Sequence, residues 1–529
     1  MSLGGFARQG MSEQRHSLAV LLTASAGCAL TVLDTNVVAI ILPGIARDLG
    51  ADFAEIEWVI STYVLSFASL LLPAGAIADR YGRKRVFLIG VAAFAVASLV
   101  CGVAPSATAL YLARAAQGAG AAFLLAPALA IIAHAFHGEA ERNRAWTVWG
   151  AMMGLTMVLA PVIGGLIAYA LGWRWAFHVN LPLCLVLAGA ARLIVAESRD
   201  EAARSLDPAG IVLFASAMLG CTWGLINGQA LGWTSGSAVA GFTAGGLALA
   251  AFVWVERRQQ RPMLDLGLFR IPRLIGAVWA MFAYAFCAQV MASLLPLFLQ
   301  NGLGRSALQA GFSMVPFALT MLLFPQVGRR LGGGLASRPV LTLGLVLAGV
   351  GNALTAWGAW SLDWPVVMSG MLVLGSGGGL LNGETQKAIM SVVPRERAGM
   401  GSGLSTTARF SGILIGFAAL SGVLATLVRG SLEAQPLASG ADRSRSFADA
   451  VVAGDLAQAV AGMSRPEAEA AIQQAQAVYS HGFAGALAVA AAMAWISAAL
   501  VWILMKPKAA ARWRGAGLAA GRGGAQAQP

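Results

Sequence analysis

Fourteen apolar runs of about 20 residues follow one another along this chain. They start near Leu18, Trp58, Val86, Thr108, Trp146, Asn180, Asp207, Ser237, Pro272, Ser306, Val340, Val366, Gly401 and His481. Hydrocarbon offers a backbone no water to bond, so a run of that length crosses it as a helix that satisfies its own N–H and C=O groups. The expected fold class is therefore all-α integral membrane. Composition agrees: of 529 residues, 58% are hydrophobic and 11% charged, too few charges for a soluble chain of this size. The first run follows Arg8 and Arg15 and contains SAGC ending at Cys28, as a cleavable leader would. It continues unbroken to Pro43 and reads as an uncleaved span.

The loops test that count independently. Assigned alternately, they place about 27 of the 36 Lys and Arg on one side and about 7 on the other, with Arg114 and Arg409 inside spans. Loops rich in Lys and Arg stay in the cytoplasm, so both termini are expected there. The same asymmetry accounts for the net charge of +12 without a nucleic-acid partner. Cys28, Cys101, Cys184, Cys221 and Cys287 lie singly in apolar runs, and His134 and His137 lack a third ligand, so no metal site is expected. No Gly-rich loop ends in GK[ST], which argues against ATP as the energy source, and nothing points to an enzyme or a cofactor. Basic residues that are mostly Arg, with abundant Ala and Gly, fit a GC-rich bacterial genome and hence a bacterial inner membrane.

One loop is denser in charge than the rest. AGAIADRYGRKR, Ala74 to Arg85, sets Asp79, Arg80, Arg83, Lys84 and Arg85 between two apolar runs. Such a cluster needs water and marks a cytoplasmic turn. Gly75 and Gly82 would let the two helix ends approach. Asp79 beside Arg80 and Arg83 could latch neighbouring helices; a purely topogenic loop is the alternative.

Gly75, Asp79, Arg80, Gly82, Arg83 and Lys84 resemble the G-x-L-A-D-R-x-G-R-K signature between the second and third helices of the major facilitator superfamily. With fourteen spans, the chain resembles the drug:proton antiporters of that superfamily. LDTNVVAIILP (Leu33 to Pro43) is similar to their first-helix motif, and LARAAQGAGAA (Leu112 to Ala122) to their R-x-x-Q-G motif. GAMMGLTMVLAPVIGG (Gly150 to Gly165) is similar to their antiporter motif, with Ala160 where Gly is usual. WRWAFHVNLP (Trp173 to Pro182) is similar to the junction between their fifth and sixth helices, and Phe298 to Pro316 also follows the family.

The resemblance implies a major facilitator fold of two six-helix bundles plus two extra helices. The expected division is a cytoplasmic segment 1–17, an N-terminal bundle 18–196, linkers 197–271 carrying the extra helices (about 207–226 and 237–255), a C-terminal bundle 272–505 and a cytoplasmic tail 506–529. Within the second bundle, 429–480 reads as a long extracytoplasmic loop with a surface helix over MSRPEAEAAIQQAQAVY; it could be a lid, a docking site for a periplasmic adaptor, or simply solvated.

Each motif also has a physical reading. Asp34 lies about nine residues, or roughly 13 Å, from the end of the first span. A carboxylate at that depth should face a cavity, bind a cation or take up a proton, or else pack against hydroxyls such as Thr31 or Thr35. Arg114 sits at similar depth and cannot shed its proton, so it needs a carboxylate or carbonyls; the resemblance places it in the same bundle as Asp34. Gly150, Gly154, Gly164 and Gly165 with Pro161 would form a tight seam between the halves, or ordinary small-residue packing. Glu384 and Lys387 are either a solvated pair or an acid at the inner vestibule, and Glu384 is one partner to consider for Arg409. Trp58, Trp146, Trp149, Trp173, Trp175 and Trp233 read as interfacial anchors.

Together these features imply export of lipophilic, cationic compounds by alternating access, driven by the proton gradient. The partners are the bilayer, small lipophilic substrates and protons. An exporter of one endogenous metabolite, lipid or siderophore is the alternative.

Overall fold

In the computed structural model, the residues described are 3–136, 139–199, 208–259, 266–332, 337–393, 398–434, a few between 447 and 460, and 463–506. His137, the linker residues 200–207 and 260–265 and the tail beyond 506 lie outside them.

Among the described residues, fourteen helices are long and apolar enough to cross a membrane. They are α1 (Leu3–Leu49), α2 (Phe53–Tyr81), α3 (Arg83–Gly102), α4 (Ala107–Ala135), α5 (Glu139–Ala170), α6 (Trp175–Ile194) and α7 (Pro208–Leu231). The rest are α8 (Gly236–Arg258), α9 (Pro272–Asn301), α10 (Ala307–Gly328), α11 (Ser337–Ser361), α12 (Trp364–Val392), α13 (Ala398–Ala434) and α14 (Arg465–Leu504). Among the described residues there is no strand. Polar residues start several helices: Asp52 and Glu55 form a capping box on α2, and Ser106 accepts from Ala109 N to cap α4. Prolines inside α1, α2, α4, α5, α9 and α10 are tolerated because neighbouring helices cover the freed backbone. In α9 a single π turn, Ala285–Gln289, pushes one extra residue into the middle of the span.

Within the first six helices α2 and α3 pack on α4, and α1 packs on α5; within the last six, α11 packs on α12 and α14, and α10 on α12. The α7–α8 pair pack on each other, and α7 lies against α2 and α13. Trp223 of α7 meets Trp58 of α2 at 5.6 Å, and Ser411 of α13 reaches Met218 Sδ of α7 at 3.5 Å. The pair therefore covers the line along which α2 of the first half meets α13 of the second.

Two expectations are corrected. The segment read as a surface helix in a 429–480 loop is the first four turns of α14, continuous with the last span and opened by a capping box between Ser464 and Glu467. Its apolar side is buried at Ala471, Ala475 and Tyr479, so it is packed rather than solvated. At the other end, α13 continues to Ala434. Trp173 is not an interfacial anchor: it is 7% exposed, its indole N–H donates to Asp48 at 3.0 Å, and its ring packs edge-on to Phe177.

Candidate functional site

α1, α4 and α6 converge on Asp34. Arg114 Nη1 donates to Asp34 Oδ2 at 2.5 Å, while Gln117 Nε2 and Asn180 Nδ2 donate to Oδ1 at 2.8 and 2.9 Å. Arg114 also donates to Gln117 Oε1 at 2.6 Å and to Val59 O at 3.3 Å, and its guanidinium lies 4.0 Å from the centre of the Tyr63 ring. Ser98 closes the cluster, accepting from Gln117 at 2.8 Å and giving its own proton to Phe94 O. The side chain of Asp34 has no exposed surface and that of Arg114 has 1%.

Of the environments considered for Asp34, this conformation therefore shows the bound cation and not the cavity. Thr31 and Thr35 do not serve it, since each bonds a carbonyl of its own helix, Cys28 O at 2.8 Å and Thr31 O at 2.9 Å. The reason is register. Side chains at i and i+3 share one face of a helix, which brings Arg114 and Gln117 of α4 to the same carboxylate. Each oxygen of the Asp34 carboxyl thus faces at least one N–H donor. Sequence reasoning noted Gln117 and Asn180 only as letters of motifs; intramembrane amides near an intramembrane charge were the signal available.

The Asp79–Arg85 turn is fastened at two points, one of them the expected Asp79–Arg83 pair. Asp79 pairs with Arg83 one turn on, at 2.8 Å. The turn's anchor is Glu197, just past α6: its oxygens accept from the backbone N–H of Lys84 at 3.0 Å and of Arg85 at 3.2 Å. Lys84 Nζ donates to Arg192 O at 2.8 Å. Glu197 thus caps the N-terminus of α3, where free N–H groups and the helix dipole favour an anion. Gly82 takes φ +114, and a Cβ there would lie 2.7 Å from the Glu197 carboxylate. Gly75 has no such role, with Ala126 Cβ its nearest neighbour at 3.9 Å. Arg80 is exposed. The Asp79–Arg83 pair and the Glu197 contacts all lie within the first half.

The halves meet from mid-span to the opposite face. A Cβ on Gly165 of α5 would come within 2.6 Å of Ala307 O at the start of α10, Gly311 of α10 lies against Pro161 O, and Gly154 lies against Leu322. Gly164 packs on Val37 of α1 in its own half, and Gly150 has nothing within 4 Å. Gln300 of α9 donates to Ile40 O of α1 at 2.9 Å, and Phe67 of α2 meets Phe410 of α13 at 4.5 Å. Glu57 of α2 and Ser421 of α13 are in hydrogen-bond contact. Sequence reasoning passed over Glu57 because it sits one residue before a run of clear apolar character.

Glu384 and Arg409 do not meet. Glu384, 5% exposed, accepts from Ser337 at 2.6 Å and pairs with Lys387 at 3.1 Å, so it is neither freely solvated nor Arg409's partner. Arg409 Nε donates to Gln289 Oε1 at 2.8 Å, and its guanidinium lies 5.9 Å from the centre of the Tyr284 ring. Gln289 closes the π turn of α9, which is what aims its side chain at α13. Among the described residues no cluster of His, Cys, Asp and Glu could hold a metal.

Comparison with known proteins bears on the whole arrangement. A profile of the Major Facilitator Superfamily matches residues 24–417. The multidrug resistance protein Stp of Mycobacterium tuberculosis (strain CDC 1551 / Oshkosh) is 34% identical over 419 residues, covering 79% of this chain and 78% of Stp. The tetracenomycin C resistance and export protein of Streptomyces glaucescens is 33% identical over 418 residues, covering 77% of this chain and 76% of that protein. Among solved structures, a bacterial homologue of the human lysosomal transporter Spinster, crystallised inward-facing and unoccupied, superposes with a TM-score of 0.63 over 93% of this chain and 97% of that chain, at 18% identity.

Proposed function

The chain belongs to the Major Facilitator Superfamily, and on that footing we propose that it is a drug exporter of the cell membrane that trades protons for lipophilic compounds by alternating access. The supporting observation is the Asp34–Arg114 pair: a carboxylate and a guanidinium enclosed at mid-membrane depth, where an isolated charge is costly. Similarity to Stp and to the tetracenomycin C exporter supports drugs as the cargo.

The contacts between the halves suggest the stage of the cycle. With the basic loops in the cytoplasm, the α5–α10, α1–α9 and α2–α13 contacts seal the outer side, and cargo would enter from inside. Asp34 is then held by Arg114. Separating α1 from α4 would strip away the guanidinium, leave the carboxylate under-solvated, and let it take a proton. Re-forming the pair would expel that proton. Glu384 stands near the inner end of α12, where it could meet entering cations, and Arg409 faces the middle of α9.

The test is transport in everted membrane vesicles with an imposed pH gradient, using ethidium as a cationic probe beside a neutral lipophilic compound. Gradient-driven accumulation of ethidium is expected in wild type and not in Asp34→Asn. Accumulation that ignores the gradient would remove proton coupling. The name of the Streptomyces relative favours one further reading, export of a single secondary metabolite; uptake confined to one chemical class would select it.

A further inference from the structure

Glu57 is a buried acid that the exchange at Asp34 does not use. It stands in the second turn of α2, 1% exposed, and meets the hydroxyl of Ser421, 364 positions away in the other half. Ser421 has one hydroxyl proton and three acceptors around it: Glu57 Oε1, Phe417 O at 2.7 Å and Ala418 O at 3.2 Å. A serine within a helix commonly gives that proton to the i−4 carbonyl, here Phe417. Its oxygen then turns lone pairs toward Glu57, and only a carboxylic acid O–H can complete the contact. The chain of donors runs Glu57 to Ser421 to Phe417, and its first link exists only while the carboxyl carries a proton.

On α2 itself Asp52 and Glu55 are engaged in the capping box at the water boundary. From α4, Tyr111 gives its carbonyl to Thr62 and packs its ring on Trp58. From α1, Asp48 is held by Arg174 and Trp173, beside Arg47. Cys101 of α3 bonds Gln117, and Cys221 is the titratable group of α7. Arg429, two turns beyond Ser421 on α13, is the cation whose charge reaches Glu57.

We propose that Glu57 is a second proton-binding site, filled whenever α2 and α13 close on each other, with the proton drawn from the water on the side where α2 begins. This rests on the proton-coupled reading above. One proton is taken up by one carboxylate on closure and returned on opening; no other bond changes. Because the closed state holds the proton and the open state releases it, closure is favoured at low pH and lost as pH rises, by up to about tenfold in the closed-to-open ratio per pH unit.

The experiment uses the full chain in liposomes, with native cysteines replaced by alanine and spin labels at Ala54→Cys and Gly430→Cys. Pulsed EPR distances between pH 5 and pH 9 read the opening of α2 from α13. Wild type is expected to shift from the short to the long distance as pH rises. Glu57→Gln, whose amide donates without titrating, is expected to stay short throughout. Ser421→Ala keeps the acid but removes its acceptor, so the midpoint should move to lower pH. A wild-type titration in Glu57→Gln, or an unmoved midpoint in Ser421→Ala, would overturn the proposal. Ethidium uptake under a pH gradient in the same liposomes tests the coupling reading separately: its absence in wild type would overturn coupling, whatever the distances show.

Discussion

Asp34 and Arg114 stand 80 positions apart in the chain and 2.5 Å apart in the fold, with neither side chain more than 1% exposed. The two do not depend on each other equally. Without the carboxylate, Arg114 keeps Gln117, the Val59 carbonyl and the Tyr63 ring. Without the guanidinium, Asp34 keeps only two neutral amides.

That asymmetry separates two substitutions. Asp34→Asn is expected to abolish gradient-driven ethidium efflux while the protein still reaches the membrane at wild-type levels. Arg114→Ala is expected to destabilise the fold by about 3–5 kcal/mol, because it breaks a buried ion pair and also removes the guanidinium's contacts with Gln117, Val59 and Tyr63. Thermal unfolding in detergent compares them, and equal losses for both would contradict the asymmetry.

The basic turn should be sensitive at Gly82 and indifferent at Gly75. A side chain at position 82 must adopt φ +114 and displace the Glu197 carboxylate, whereas position 75 has ordinary room. Gly82→Ala should therefore slow efflux and lower stability by more than 1 kcal/mol, roughly the worth of a helix cap plus the strained backbone. Glu197→Gln, which loses the charge at the start of α3, should cost about 0.5–1 kcal/mol. Gly75→Ala should be near wild type in both assays.

Closure between α5 and α10 depends on backbone approaching backbone. Gly165→Leu or Gly311→Leu should hold the halves apart on the face opposite the basic turn, with transport lost and membrane level kept. A cysteine introduced near the start of α10 would then react faster with a water-soluble maleimide than in the parent. Gly150→Leu, facing open space, is the control and should transport normally.

Arg409 tests whether the π turn matters for cargo. Gln289→Ala removes the acceptor that orients the guanidinium, and Arg409→Lys keeps charge without the planar fork. If Arg409 contacts substrate, both should raise the half-saturating ethidium concentration severalfold with maximal rate little changed. Loss of rate at unchanged half-saturation would instead assign Arg409 to the conformational cycle.

The membrane spans were legible from the sequence because hydropathy is local and additive. Each run of apolar residues needs only its own composition to leave water, and each basic loop only its own charges to stay on one side. Twelve of the fourteen run starts fall inside separate helices; Ser306 is the N-cap of α10, and Asp207 lies outside the described residues. Asp34 and Arg114 could be paired on paper because both are expensive where they lie and few partners exist at that depth.

What remained hidden depends on how helices rotate and slide against one another. Glu57 has an acidic side chain at a span end, which reads as a solvated terminus until α13 is laid across it and Ser421 arrives from 364 positions away. Glu197 opens the linker in the sequence and caps α3 only because the end of α6 lies beside the free N–H groups there. Arg409 pairs with Gln289 and not Glu384 because a π turn re-aims one side chain of α9. Hydropathy along the chain decided which segments enter the bilayer; tertiary packing alone decided which charges meet inside it, because a helix face turns by about 100° with each residue, and only the neighbouring helix decides which face becomes the contact.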